Sequence, residues 1–264
     1  MTPLDRSVRA LLADVARAAI LPRFGRLSSA EREEKSPGDW VTIADRESEA
    51  LLATGLRAID PHARVIGEEA YASDPTLLDD IGTGRLWLVD PLDGTNNFAA
   101  GRTPFGMIVA LVEDRVVQHG WLYDPVADRL SHAAKGRGAF VEDARVRAVT
   151  VERSQPIATY SKYWMSDEKA ALLEQRAEGV LSLKEGLRCA AAQYPALVNG
   201  QYDAALFERL FPWDHAAGAL FVSEAGGKVA RLDNSPYRLE RRDVGLLAAA
   251  SPELWDRAAA VFNV

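Results

Sequence analysis

In the stretch Trp87-Leu88-Val89-Asp90-Pro91-Leu92-Asp93-Gly94-Thr95 an apolar run delivers two carboxylates, Asp90 and Asp93, almost side by side. Carboxylates this close repel each other unless a proton or a cation lies between them. Oxygen-only ligands suit a hard divalent ion such as Mg²⁺ or Mn²⁺, whereas zinc favours histidine and cysteine. Pro91 predicts a sharp turn, and Gly94 lets the backbone come close to a bound group. The string also fits an ordinary polar turn after a core strand, since Asp-Pro and Asp-Gly are common turn pairs.

Gly67-Glu68-Glu69 follows the short apolar pair Val65-Ile66 and could aim a third carboxylate at the same point; a solvated surface pair is the plainer reading. In Trp213-Asp214-His215-Ala216-Ala217-Gly218, Asp214 stands where an N-cap would, ahead of a small-residue helix that must pack tightly. Capping and metal ligation both suit it. Rival chemistries lack parts. A phosphoenzyme string Asp-x-Asp-x-Thr needs an aspartate where Pro91 stands. The histidines His62, His119, His132 and His215 form no metal-type pair, and there is neither a Gly-x-Ser-x-Gly elbow nor a phosphate loop. Cys189, the one cysteine, reads as a packed small hydrophobe; it cannot form an internal disulfide, which suits a reducing, cytoplasmic setting.

The elements that must carry these residues follow from periodicity. Leu4, Val8, Leu11, Leu12, Val15 and Ala19 predict an amphipathic helix over 4–21 stopped by Pro22, and a second helix runs over 42–59. The polar stretch 27–39, with Lys35, reads as a mobile loop. Strands are expected at 65–66 and 85–90, a hairpin from 107–112 and 115–122, and a further pair at 130–134 and 139–141. Beyond these the pattern turns to alternation, with helices at 167–180, at 188–198 and from Asp214 to Gly226-Gly227. Strands at 203–207, 228–232 and 244–249 intervene, and a last helix is capped by Ser251. The chain therefore divides into an α+β half, residues 1–145, and an α/β half, residues 146–264, in one compact unit.

The 264 residues are 48% apolar and 26% charged, which is globular composition, and 31 basic against 38 acidic residues leave a net charge of −7. That balance argues against polymeric nucleic acid or an anionic membrane as partner. The amino terminus carries mixed charge and no apolar run of membrane length, so neither a signal peptide nor an anchor is expected.

Together, Gly67-Glu68-Glu69, Asp90-Pro-Leu-Asp-Gly-Thr95-Asn-Asn-Phe98 and Trp213-Asp214-His-Ala-Ala-Gly218 followed by Glu224-Ala-Gly-Gly227 resemble the inositol monophosphatase family of magnesium-dependent, lithium-sensitive phosphomonoesterases. The resemblance covers nearly the whole chain. It implies a layered αβαβα sandwich of the inositol monophosphatase and sugar phosphatase type, commonly a homodimer. It implies that Glu68, Asp90 and the Leu92 backbone carbonyl bind one Mg²⁺, and that Asp90, Asp93 and Asp214 bind a second. A third metal, or a phosphate contact, would involve the loop bearing Lys35. Gly94 and Thr95 match the backbone amides that hold phosphate, and Asp45 matches the aspartate that pairs with the threonine to orient the attacking water. Thr95, Asp45 and Glu68 are thus the expected catalytic residues. Divalent ions would reverse the field of an acidic pocket that otherwise repels a dianionic ester, and would activate water and stabilise the leaving alkoxide.

The chain departs from the family where the substrate's alcohol is recognised. Inositol-specific members carry a Gly-Ser or Gly-Thr pair where Leu187-Arg188-Cys189 stands, and an acid that binds a sugar hydroxyl where Phe207 stands beside Glu208. Arg188, at an expected helix start, suits either a second anionic group on the substrate or a structural salt bridge. Inositol phosphate therefore shares the field with histidinol phosphate, fructose 1,6-bisphosphate and nucleotide 3′-phosphates, and a catalytically silent binding homologue is the non-enzymatic alternative.

Overall fold

The computed structural model describes residues 1–36, 39–241 and 245–263; the Lys35 side chain lies outside the described residues. Helix α1 (Pro3–Val15) passes into a π-helical turn (Ala16–Ile20) and a 3-10 turn (Leu21–Arg23). Strands β1 (Arg32–Ser36) and β2 (Asp39–Thr42) form an antiparallel ribbon leading into α2 (Ile43–Ile59). Then come β3 (Arg64–Gly67), α3 (Glu68–Ser73), β4 (Arg85–Asp93), α4 (Thr95–Ala99), β5 (Gly106–Glu113), β6 (Val116–Asp124), β7 (Arg129–Ala134), β8 (Gly138–Val141) and β9 (Ala144–Val146). The remainder is β10 (Ile157–Tyr160), α5 (Asp167–Ala177), β11 (Ser182–Glu185), α6 (Ala190–Val198), β12 (Ala204–Phe207), α7 (Pro212–Glu224), β13 (Lys228–Arg231), β14 (Leu246–Ala249) and α8 (Pro252–Phe262).

Strands β3 to β9 lie in sequence order in one seven-stranded sheet, antiparallel except for the β3–β4 pair. A five-stranded mixed sheet has the order β11-β10-β12-β14-β13. Side chains alternate across β4: Trp87 and Val89 pack under α1 and α2, while Leu86 and Leu88 face α6 and α7. Both faces of that strand are buried, which is why it reads as an unbroken apolar run. Helices α6 and α7 fill the space between the sheets, and α5 and α8 cover the far face of the second sheet through Leu173, Ala177, Trp255, Ala258 and Phe262. The layers are αβαβα, the sandwich expected from the sequence.

Several local expectations are corrected. The first helix does not run to Leu21 as a regular α-helix: Pro22 offers no N–H to the carbonyl of Ala18, and the backbone widens and then tightens ahead of it. Part of the supposed loop 27–39 pairs as β1 and β2; Arg32, Glu33 and Glu34 of β1 are polar and exposed, so no apolar alternation betrays that strand. The chain does not turn at Pro91. Strand β4 continues to Asp93 with an irregularity against β5 between Asp90 and Asp93, as expected where proline removes a ladder donor. Helix α5 ends at Ala177, ahead of Gly179 at φ 72°. Short β9, β10, β11 and α3 have too few residues to show a period.

Candidate active site

Strands β3 and β4 run parallel with Gly67 opposite Val89, so Glu68 and Asp90 leave the same end of the sheet as neighbours. Asp214 arrives from the other side. It is the third residue of α7, whose cap is Phe211 and whose first residue is Pro212, so it is not the N-cap expected from sequence; the fixed φ of Pro212 starts the helix earlier. Oxygens of Glu68, Asp90 and Asp214 all lie within 4.8 Å of one another, the one such group among the described residues. Burial drives the Asp90 carboxyl well above its ordinary range, reinforced by the charges of Glu68, Asp93 and Asp214. A divalent cation removes that cost, and an all-oxygen set fits Mg²⁺ or Mn²⁺.

Asp93 stands outside this three-acid group but lines the same cavity of about 220 Å³. Its Oδ2 accepts the Ala191 N–H at 2.5 Å, and it also takes the Gly94 N–H. Burial raises its carboxyl, and these donors hold the rise back. Gly94 takes φ 81°, and a Cβ there would meet Cys189 Cβ and the Pro104 carbonyl at 3.1 Å each, so both conformation and space call for glycine.

Thr95 Oγ1 lies 3.0 Å from Asp45 Oδ1 and 2.8 Å from the Leu92 carbonyl oxygen. That carbonyl keeps a second lone pair. Asp45 sits behind Thr95 at the start of α2, where Oδ2 takes the Thr42 N–H at 2.8 Å and the Thr42 hydroxyl at 2.6 Å. Burial pushes its carboxyl up to about 6, against those hydrogen bonds. The backbone thus brings Thr95 and Asp45 together across 50 positions of sequence.

Arg188, Cys189 and Phe207 line the cavity with Glu68, Asp90, Asp93 and Asp214. Arg188 does not begin a helix: its φ of 55° and the extended Cys189 keep both residues outside α6, which starts at Ala190. Cys189 is buried with Sγ 3.7 Å from the Asp93 carbonyl oxygen, and burial, then Asp93, holds its thiol un-ionised. Glu208 is tied to Lys169 Nζ at 3.0 Å.

A family model described as the inositol monophosphatase family matches residues 4–263. The chain belongs to that family. Inositol monophosphatase 2 of Solanum lycopersicum is 32% identical over 250 residues, 91% of each chain. A Nus factor SuhB of Pseudomonas aeruginosa is 32% identical over 224 residues, 82% of this chain and 81% of the relative. The crystal structure of an extragenic suppressor protein SuhB from Bartonella henselae superposes with a TM-score of 0.85 at 25% identity, covering 98% of each chain.

In this inositol monophosphatase family member, several residues that hold the acids in place carried no signal of their own. Glu49 of α2 accepts the N–H groups of Glu69 and Ala70 at 2.8 Å each and so pins the first turn of α3, where Glu68 begins. Its place one turn after Asp45 on the same helix face is the only hint in the sequence. Tyr194 donates its hydroxyl to His215 Nδ1 at 2.9 Å, and His215 Nε2 meets the Arg209 carbonyl at 2.8 Å. A carbonyl only accepts, so the proton sits on Nε2. Burial holds His215 down at about 4, which keeps it neutral and makes it a prop for the loop before α7.

Proposed function

We propose that this protein is a divalent-cation-dependent phosphomonoesterase that hydrolyses a small phosphorylated metabolite to an alcohol and phosphate. The observation that carries the reading is the convergence of Glu68, Asp90 and Asp214 from three separate elements to within 4.8 Å. Two Mg²⁺ ions would be held by Glu68, Asp90, the Leu92 carbonyl, Asp93 and Asp214, with Mn²⁺ as a substitute. Ions bound there supply the positive charge that a dianionic ester requires and acidify water beside the phosphorus.

The chain's own residues do the rest. Asp45 accepts the Thr95 hydroxyl hydrogen and turns the oxygen lone pairs outward, so that Thr95 orients an incoming water. Asp93 is locked by the Ala191 N–H and so is ready before a substrate arrives. The backbone at Gly94 and Thr95 offers the closest approach for phosphate oxygens. No helix of the described residues is long and apolar enough to cross a membrane. Assembly as a homodimer belongs to the same proposal.

Purified protein with Mg²⁺ and an aryl phosphate is expected to release phosphate, with Asp93→Asn abolishing turnover and a chelator doing so reversibly. No release from a broad phosphomonoester panel would sink the proposal. It would then favour the second reading, a non-catalytic regulatory role, which the relatives named Nus factor SuhB recommend.

A further inference from the structure

The part of the cavity lined by Arg188 and Phe207 is built differently from a surface that reads sugar hydroxyls. Phe207 is stacked against Tyr194 at 4.9 Å, and the neighbouring carboxylate, Glu208, is spent on Lys169. Arg188 supplies the charge. Its guanidinium rests over the Tyr163 ring at 5.0 Å, and it makes no ion pair with any described residue. An arginine in a cavity rimmed by acids, yet paired with none, keeps its planar fork available for an anion.

The turn that carries Arg188 is held from three sides. Buried Gln193 takes the Leu187 N–H at 2.8 Å, Asn97 donates to the Leu187 carbonyl at 3.1 Å, and the Gly186 N–H bonds the Tyr160 carbonyl at 2.9 Å. Arg188 itself sits at φ 55°, where glycine would relax the backbone. Strain that persists because the surroundings over-determine it is a mark of functional placement. The aromatic platform beneath the guanidinium further limits its freedom. These features are independent of the acids and point the same way.

We propose that Arg188 is the specificity-determining residue of this site and that the substrate is a phosphate monoester bearing a second anionic group, a phosphate or a carboxylate, which Arg188 binds. The proposal rests on the phosphomonoesterase reading. It places the enzyme among reactions that shorten a bis-anionic metabolite by one charge group and release a mono-anionic alcohol. The net charge of −7 does not oppose this, because the attraction is local.

Matched probes test it: fructose 1,6-bisphosphate against fructose 1-phosphate, and 3-phosphoglycerate against glycerol 1-phosphate. Wild type is compared with Arg188→Gly, which removes the guanidinium and relieves the backbone, and with Arg188→Lys. Arg188→Gly is expected to raise KM at least tenfold for at least one bis-anionic probe, with kcat within twofold, and to leave both parameters within twofold for its mono-anionic partner. Arg188→Lys is expected to restore part of the loss. Equal effects on both members of each pair, or none on either, overturn the proposal. Turnover of an aryl phosphate, which has no second anion, reports separately on the phosphatase reading. If no probe is turned over, calorimetric binding of the same pairs by wild type and Arg188→Gly decides the anchor on its own, and equal affinities overturn it.

Discussion

Glu49 spends both carboxylate oxygens on the N–H groups of Glu69 and Ala70, and it is packed so close to Gly67 that a Cβ there would fall 2.3 Å from its carboxyl carbon. This single side chain joins α2, which carries Asp45, to α3, which begins with Glu68. Glu49→Ala would strip two backbone donors of their partner, costing about 1–3 kcal/mol, and would loosen Glu68. The expected outcome is a lower urea midpoint together with a higher Mg²⁺ concentration for half-maximal activity, with Glu49→Gln recovering only part of the loss because its amide offers one acceptor oxygen to two N–H groups. An unchanged Mg²⁺ requirement would show that Glu49 does not position the site. The contrast with Asp90 and Asp93 explains what was readable at this scale. Those two acids stand in a short string whose chemistry is local, whereas Glu49 resembles any helix-surface glutamate until α3 is folded against it.

Helix α7 shows how an element places a residue. Its small side chains let it settle directly on β6, where a Cβ on Gly120 would lie 2.6 Å from Ala217 Cα. Against α6 the fit is tighter still, since a Cβ on Gly218 would fall 1.9 Å from a ring carbon of buried Tyr194. At its other end Glu224 accepts the Gly136 and Gly138 N–H groups at 2.7 and 2.8 Å, so the helix is anchored to the β7–β8 turn. Two effects oppose each other in Gly218→Ala. Helix propensity favours alanine by about 1 kcal/mol, while overpacking costs about 1–3 kcal/mol or more. The clash here is with a ring fixed by its bond to His215, so a net loss of stability is expected, measured as a lower urea midpoint. A stabilised variant would mean that α7 shifts freely and does not fix Asp214. The run of small residues predicted close packing, and the structure bears that out. What it packs against, and that Asp214 falls in the first turn and not at the cap, depended on Pro212 and on α6.

Across the whole molecule, Asp5 links the outermost layer to the first sheet. It closes the capping box of α1 through the Thr2 hydroxyl at 2.6 Å and accepts the buried Trp121 Nε1–H of β6 at 3.1 Å, with His132 Nδ1 at 3.7 Å. Burial works to raise its carboxyl, but the Thr2 bonds, His132 and Trp121 together hold it below the ordinary 3.8. A depressed carboxyl stabilises the fold fully above the unfolded value and loses that contribution as pH falls through the folded value. Asp5→Asn is therefore expected to cost about 1–3 kcal/mol near neutral pH, with the gap from wild type closing in urea melts as pH falls below the ordinary aspartate value of 3.8. A gap that does not vary with pH would refute the charge argument. The sequence by itself determined the family, through motifs of local spacing, and with the family the layered class; the elements long enough to show a period were legible for the same local reason. Only the tertiary structure decided that Glu68, Asp90 and Asp214 converge, that Thr95 meets Asp45, and that Arg188 lines the cavity with no ion-pair partner among the described residues. Those facts depend on which strands pair in parallel, where α7 settles and how a left-handed turn is held, and such long-range contacts leave no periodic trace in the chain.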